Sequence, residues 1–361
     1  MSGTRPLASR PASRPSGIFR ARRLGSLSPA GACLIYGLLG FWTVIVLFPL
    51  YWLVITSFKL PIDVAYPPKY LPFLDFQPSL HAWRYIFVDL GNDTLRPYFN
   101  SLIVASCSTV LAVLVGSMAA YGLSRIEYKP RIASILAFIL LLALASAAIM
   151  FFHVDWRIAA LAALAIFFLA VRALARPGLA RYGRAHLGNS DILFWMISQR
   201  ILPPVVAALP IYVMFQQLGL LDTRFALIVT YMTVNLPIVV WLMYDFFTGI
   251  PRDLEESASL DGASRYRIFF QIVLPLAKPG LIATALLVLI LAWNEYLLAL
   301  FLSTAKAQTM PILVAAQNGT RGPQWWYMSA LIVIMIAPVV ALTVATQKYI
   351  AKGLLLGAVK G

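Results

Sequence analysis

Charge is what this chain has least of. Only 12% of its 361 residues are Asp, Glu, Lys or Arg, and only 14 are acidic, against about 25% charged residues in ordinary soluble domains. Hydrophobic residues supply 61% and the mean hydropathy is +0.81, which disfavours a water-soluble domain and makes a membrane protein the first reading. Cysteine is scarce too. Cys33 and Cys107 lie inside apolar blocks with no CxxC pair or Cys/His cluster, so neither a disulfide framework nor a metal site is indicated, and both read as small buried hydrophobes. His81, His153 and His186 sit in or beside loops without HExxH spacing, so no metal ligand and no catalytic residue is assigned. No Lys follows a Gly anywhere, and the phosphate-cradling loop GxxxxGK[ST] is therefore absent. No inverted internal repeat is detectable.

What is present is a succession of long apolar runs. A hydrocarbon core about 30 Å thick takes about 20 apolar residues as helix. Cutting the chain at its charge clusters gives eight candidates: 31–57, 97–123, 132–152, 156–174, 192–217, 226–247, 280–303 and 326–347. The fourth is short, bounded by Arg157 and Arg172, whose side chains can snorkel outward. The expected fold class is an all-α polytopic helical bundle with both termini on one side. About 20 Lys and Arg fall on that side and about 8 on the other, which makes the termini cytoplasmic. The net charge of +15 thus reports topology, and nucleic acid is not an expected partner. Residues 1–29, rich in Arg, Ser and Pro and free of acid, read as a disordered cytoplasmic arm in contact with solvent or anionic lipid headgroups. The run Cys33–Thr56 is too long for a signal-peptide core and reads as an uncleaved first span. Tyr66, Tyr70 and Trp83, in a Pro-rich loop, and Trp325, Trp326 and Tyr327 read as interfacial anchors.

Against this background the polar loop 249–279 stands out. It contains LEESASLDGASRYRIFFQIVLP, Leu254 to Pro275, and the orientation places it in the cytoplasm. Locally it predicts two short helices around a break. Pro251 suits a first helical position and Asp253, Glu255 and Glu256 favour the positive helix end. Gly262 supplies the left-handed residue that ends the first helix, and Ser264 caps a second one, which Pro275 interrupts. Within the spans, Asn294 and Glu295 lie in the seventh, Arg200 with Gln199 interrupts the fifth ahead of Pro203, Pro204 and Pro210, and Asn235 with Pro237 marks a break in the sixth. Such groups are costly in lipid, and two readings stay open for them: lining a translocation path, or fixing helix packing and kinks.

The spacing Glu256-Ser257-Ala258, three residues, Gly262, nine residues, Ile272-x-Leu274-Pro275 resembles the EAA loop, E-A-A-x3-G-x9-I-x-L-P, of permease subunits in binding-protein-dependent ABC importers, with Ser257 in place of the first Ala. Asn100 to Arg125, Leu202 to Thr223, Asn235 to Phe247, Ala292 to Leu300 and the closing GLLLGAVKG resemble the MalG-like, carbohydrate-importing branch. The resemblance implies a type I importer core of six helices with two extra spans. In that family the loop docks in a cleft of a cytosolic ATPase: Glu256 would be the charged contact, Ser257 and Ala258 the close-packing face and Gly262 the turn. Ile272, Leu274 and Pro275 would join the elbow to the next span. The implied partners are a second homologous permease, a dimer of ABC ATPase subunits carrying ATP and Mg, a periplasmic or lipid-anchored solute-binding protein, membrane lipid, and a sugar or polyol as cargo. The chain itself would bind no cofactor and catalyse no reaction, and it would sit as a multi-pass protein in a bacterial inner membrane.

The family pattern is interrupted once. The organisation expected is the arm 1–29, a first permease part 30–131, an inserted apolar hairpin with basic linker 132–189, and the remaining permease 190–361. Two added crossings keep everything downstream in its original orientation. An ion-coupled secondary transporter working without an ATPase is the second reading. A polytopic membrane enzyme would need a cluster of His, Asp or Glu at one depth, and none is seen.

Overall fold

The computed structural model describes residues 28–64, 67–174, 186–319 and 322–358, apart from the side chains of 174 and 348–358. Nearly all of the expected arm, Tyr66, most of the Arg-rich linker and the final residues therefore lie outside it. In chain order the helices are α1 (Pro29–Thr56), α2 (Pro61–Val64), α3 (His81–Arg84), α4 (Gly91–Arg125), α5 (Ile132–Phe152), α6 (Trp156–Leu174), α7 (Asn189–Ser198), α8 (Pro204–Gln217), α9 (Arg224–Thr248), α10 (Asp253–Leu260), α11 (Arg265–Ile268), α12 (Leu274–Leu276), α13 (Lys278–Trp293), α14 (Leu297–Leu302), α15 (Met310–Ala316) and α16 (Trp325–Ala358). A two-residue antiparallel ribbon, β1 (Asn318–Gly319) with β2 (Gly322–Pro323), stands between the last two.

Among the described residues, α1, α4, α5, α6, α9 and α16 are long and apolar enough to cross a membrane. Two further pairs pass the same test jointly but are sharply bent: Asn189–Ile201 with Pro204–Gln217 by 90°, and Arg265–Leu276 with Lys278–Trp293 by 79°. Eight crossings are reached only if each bent pair counts as one. The seventh span expected over 280–303 is not one helix. α13 stops at Trp293, because Asn294 Nδ2 donates to Ile290 O at 2.8 Å and Glu295 Oε1 accepts Leu298 N at 3.0 Å, local bonds that compete with helix propagation. The break expected at Asn235 and Pro237 is absent: α9 runs through both, with Asn235 Nδ2 folded back onto Tyr231 O at 2.9 Å.

The chain divides into two compact units, one reaching to Tyr85 and taking in Gln324–Val333, the other covering Ile86–Pro323 and Ile334 onward. In the first, the segment after α1 folds around Lys59, which is 1% exposed. Its Nζ donates to Lys69 O at 2.7 Å and lies 3.9 Å from the Trp52 ring centroid. Tyr70 packs on Trp52 at 5.1 Å, Trp83 on Phe58 at 5.8 Å, and Tyr327 stacks on Tyr85 at 4.0 Å with its hydroxyl 3.0 Å from His81 Nε2. Of these, Tyr70, Trp83 and Tyr327 are the aromatics read from sequence as interfacial anchors, and each also takes part in packing within this unit.

In the second unit α4, α9 and α13 form the core. Small residues let the backbones approach, as membrane packing requires. A Cβ on Gly116 of α4 would lie 2.6 Å from Val239 Cγ1 of α9, and one on Gly280 of α13 would overlap the Phe246 ring. Two buried clusters follow, one around Val104, Tyr231, Trp293 and Leu298, the other around Val240, Met243, Phe247, Phe269 and Val273. Cys33 and Cys107 are on exposed helix faces turned away from this chain's core, contrary to the expectation of burial.

The helices α5 and α6 form a hairpin turned at His153, in the left-handed region with φ 51°, and closed by Arg157 N donating to Asp155 Oδ1 at 2.8 Å. Phe138 meets Phe167 edge-on at 5.3 Å, and no residue of α5 is buried. The two strands of chain that enter and leave the hairpin are clipped together. Asn189 Nδ2 donates to Leu123 O at 2.6 Å and Ile126 O at 2.7 Å, its Oδ1 accepts Tyr128 N at 2.9 Å, and Leu187 N donates to Pro130 O at 3.1 Å. The hairpin therefore departs and returns at one place, and α4 leads to α7 across the clip.

Candidate functional site

The elbow forms from its own sequence. Arg252, not Pro251, is the N-cap: its carbonyl accepts Glu255 N at 2.9 Å and Glu256 N at 3.0 Å, which leaves Pro251 outside the helix, a correction to the expected start. α10 ends in a Schellman pair, Gly262 N to Ser259 O at 3.1 Å and Ala263 N to Ala258 O at 3.0 Å, with Gly262 at φ 81°. Ser264 caps α11, its Oγ accepting Arg267 N at 3.4 Å. The interruption expected at Pro275 does not occur there. A π turn over Phe269–Val273 resets the register, so Pro275 sits at the first positions of α12 where no N–H is required, and the chain bends at Ala277 instead.

The two neighbouring glutamates of α10 point apart. Glu256 is exposed, as are Ser257, Gly262 and Pro275, while Ala258, Ile272 and Leu274 are half-buried. Glu255 turns inward, its side chain 13% exposed. Its Oε1 accepts Arg125 Nε at 2.6 Å and its Oε2 accepts the Tyr121 hydroxyl at 2.6 Å. Arg125 also donates to Ile250 O at 3.1 Å, and Arg252 donates to Ser124 O at 3.2 Å. The Tyr121 ring lies 4.9 Å from Phe269 and 5.9 Å from Phe247. The end of α4 thus holds α10 and packs on the π turn that follows α11. Sequence reasoning missed Glu255, Arg125 and Tyr121 as a unit, since nothing local links residues 130 positions apart. Phe269 and Leu274 close one side of a largely apolar cleft of about 380 Å³ whose α4 wall carries Thr109 and Ser117, buried hydroxyls without a partner among the described residues.

A second polar group forms where the spans break. Arg200, in the 3₁₀ turn before the 90° bend, donates from Nη2 to Asn235 Oδ1 at 2.5 Å. Asn235 is 5% exposed and bonds Tyr231 O, while the Tyr231 hydroxyl donates to Glu295 O at 3.3 Å. Three residues singled out separately, Arg200, Asn235 and Glu295, are thereby joined through Tyr231, which was not foreseen. Asn294 is beside them but exposed, its amide spent on its own helix.

At the other end of α4 from the elbow, Asn100 is fully buried. Its Nδ2 donates to Lys306 O at 2.9 Å and Gln308 O at 2.8 Å, and its Oδ1 accepts Arg224 Nε at 2.7 Å. Asp222, at φ 57°, gathers the same loop: its carboxylate accepts the N–H groups of Thr304, Ala305, Lys306 and Ala307 at 2.9–3.2 Å. Burial opposes its ionisation, but the four N–H donors together outweigh burial and hold its pKa at about 2. Among the described residues no three His, Cys, Asp or Glu come together to hold a metal.

The family described as binding-protein-dependent transport system inner membrane component matches residues 190–355. The chain is similar to the trehalose/maltose transport system permease protein MalG of Thermococcus litoralis, 32% identical over 325 residues that cover 88% of this chain and 93% of the relative. It is 29% identical to the sulfoquinovosyl glycerol transport system permease protein SmoH of Agrobacterium fabrum, over 87% of this chain and 89% of that one. With the diacetylchitobiose uptake system permease protein NgcG of Streptomyces coelicolor it shares 27% identity over 92% and 90%. Its fold is that of a chain in the crystal structure of a bacterial ABC transporter involved in the import of the acidic polysaccharide alginate, with a TM-score of 0.55 at 21% identity, covering 88% of this chain and 98% of that one. Extended apolar helices, a capped two-helix elbow of the expected spacing and near full-length similarity converge on one statement: this multi-pass chain belongs to the family of inner-membrane permease components of binding-protein-dependent ABC transporters.

Proposed function

We propose that the chain forms half of the path by which a sugar or polyol enters the cell, and that ATP hydrolysed on a separate subunit drives it through the elbow. The observation that carries this reading is the division of labour on α10: Glu255 is tied inward while Glu256 stands free beside the small Ser257 and Ala258. An exposed carboxylate on a rigid, capped helix can seat against basic groups of an ATPase, and Gly262 holds the turn behind it. Ile272, Leu274 and Pro275 pass the displacement into α13 through the bend at Ala277. A second homologous permease completes the path, and a solute-binding protein delivers cargo. ATP and Mg reside on the ATPase, and this chain makes and breaks no bonds.

The carbohydrate assignment is supported by the similarity to the trehalose/maltose, diacetylchitobiose and sulfoquinovosyl glycerol permeases. Arg200, braced by the buried Asn235, and the Glu295 carboxylate supply a donor and an acceptor suited to a hydroxyl-rich solute at the point where two spans are broken. The test is uptake of radiolabelled trehalose, maltose and a polyol panel into vesicles bearing the transporter expressed from its own gene neighbourhood. ATP inside the cytoplasmic compartment should support accumulation of at least one of them, and Glu256→Lys should release the ATPase from the purified complex. Uptake driven by an ion gradient with no ATPase retained would return the secondary-transporter reading.

A further inference from the structure

The clasp between the elbow and α4 makes a demand on the mechanism that docking alone does not. An elbow joined only to its flanking spans, α9 and α13, would move those two helices. Here Glu255 accepts both Arg125 Nε and the Tyr121 hydroxyl at 2.6 Å, Arg125 reaches Ile250 O, and Arg252 reaches Ser124 O. Four hydrogen bonds from two sides thus fix the elbow to the last turn of α4, more than 120 residues earlier in the chain. The pair is shielded, with side chains 11% and 13% exposed, and the Tyr121 ring beside it lies against Phe247 and Phe269. At the far end of the same continuous helix, Asn100 holds the carbonyls of Lys306 and Gln308, and the Ser101 hydroxyl accepts Met310 N at 2.8 Å.

We propose that Glu255 is a positioning residue: with Arg125 and Tyr121 it couples the elbow to α4, and α4 carries the displacement to the loop 303–309 at the opposite end of the bundle. The inference rests on the reading of the elbow as the ATPase contact. It adds that nucleotide-driven movement reaches the far loop through a helix remote in sequence, and that Glu255 sets how much of the movement arrives without touching ATPase or solute.

The test uses the full transporter with its co-expressed ATPase. Cys33 and Cys107 are replaced by Ser, and Ala305, exposed in the far loop, by Cys. Labelling of Ala305→Cys with a membrane-impermeant maleimide is timed without nucleotide and with ATP and vanadate, and ATPase retention is measured on the same samples. The parent should label at different rates in the two states. Glu255→Gln should keep the ATPase and lose about fivefold or more of the nucleotide dependence, the lower range of coupling between distant sites. The exchange Glu255→Arg with Arg125→Glu should restore part of it, which a merely destabilised elbow would not. Tyr121→Phe, which removes one donor and keeps the ring, should fall between; it decides the matter if Glu255→Gln does not accumulate. A parent without nucleotide-dependent labelling overturns the elbow reading and the clasp together. A responsive parent whose Glu255→Gln or Tyr121→Phe variant responds equally overturns the clasp alone.

Discussion

At the residue scale, individual atoms decide what kinds of substitution this bundle tolerates. Gly116 and Gly122 lie on the same helix, yet a Cβ at the first would overlap Val239 while one at the second would meet nothing within 4 Å. Gly116→Ala should therefore destabilise the detergent-solubilised protein by about 1–3 kcal/mol through overpacking, while Gly122→Ala should be neutral or stabilising by about 0.5–1 kcal/mol. Thermal unfolding of the two variants side by side checks this. Asp222 yields a prediction about pH. Its carboxyl is held at about 2 against an ordinary 3.8, so its contribution is fully present above about pH 4 and is lost as pH falls toward 2. The residue is partly open to water, so the contribution is on the order of 1 kcal/mol. Asn tolerates the positive φ there and removes only the charge; Asp222→Asn should lower the melting temperature at pH 6 and converge with the parent near pH 2.

At the scale of elements, the hairpin α5–α6 and the elbow behave differently towards the core. The Asn189 clip closes the chain behind the hairpin, and no residue of α5 is buried. Removing residues 132–185 and bridging the gap with a short Gly/Ser segment should leave a chain that elutes as a single species and still retains the ATPase. Aggregation of the shortened chain, or loss of the ATPase, would show that the hairpin belongs to the core. Asn189→Ala in the intact chain should be the more damaging change, since it orphans the carbonyls of Leu123 and Ile126 together with Tyr128 N. How much of this was legible in the sequence follows from the range of the interactions. The elbow's Gly262 turn and Ser264 cap are local and were readable, as was the 90° bend beside Arg200 with its prolines. Where the sequence reading erred, the competing bonds were still local but ambiguous: a π turn absorbed Pro275, and Asn235 folded back onto its own helix. The Glu255–Arg125 pair and the Asn189 clip depend on which helices become neighbours, and apolar periodicity in a lipid-soluble bundle carries little information about that.

On the scale of the whole molecule, an ATP-driven permease and an ion-coupled carrier differ in what stops them. With ATP held constant in vesicles, an uncoupler that collapses ion gradients should leave uptake of the carried sugar unchanged, whereas Glu256→Lys should abolish it. The reverse pattern would assign the energy source to the gradient. The composition made a membrane protein plain from the outset, and the spacing from Glu256 to Pro275 identified the family; the routing of force within the bundle became visible only once α4 and the elbow were side by side. The length of α4 has one more implication. Its 35 residues extend about 52 Å, and the stretch from Asn100 to Arg125 about 37 Å, at 1.5 Å per residue, beyond a hydrocarbon layer of about 30 Å. Both polar attachments, at Arg125 and Asn100, can then lie towards the headgroups on either face, where moderate thinning or thickening of the lipid does not strip them of water. Reconstitution into short-chain and long-chain phosphatidylcholines should accordingly leave the ratio of ATP spent to solute moved nearly constant.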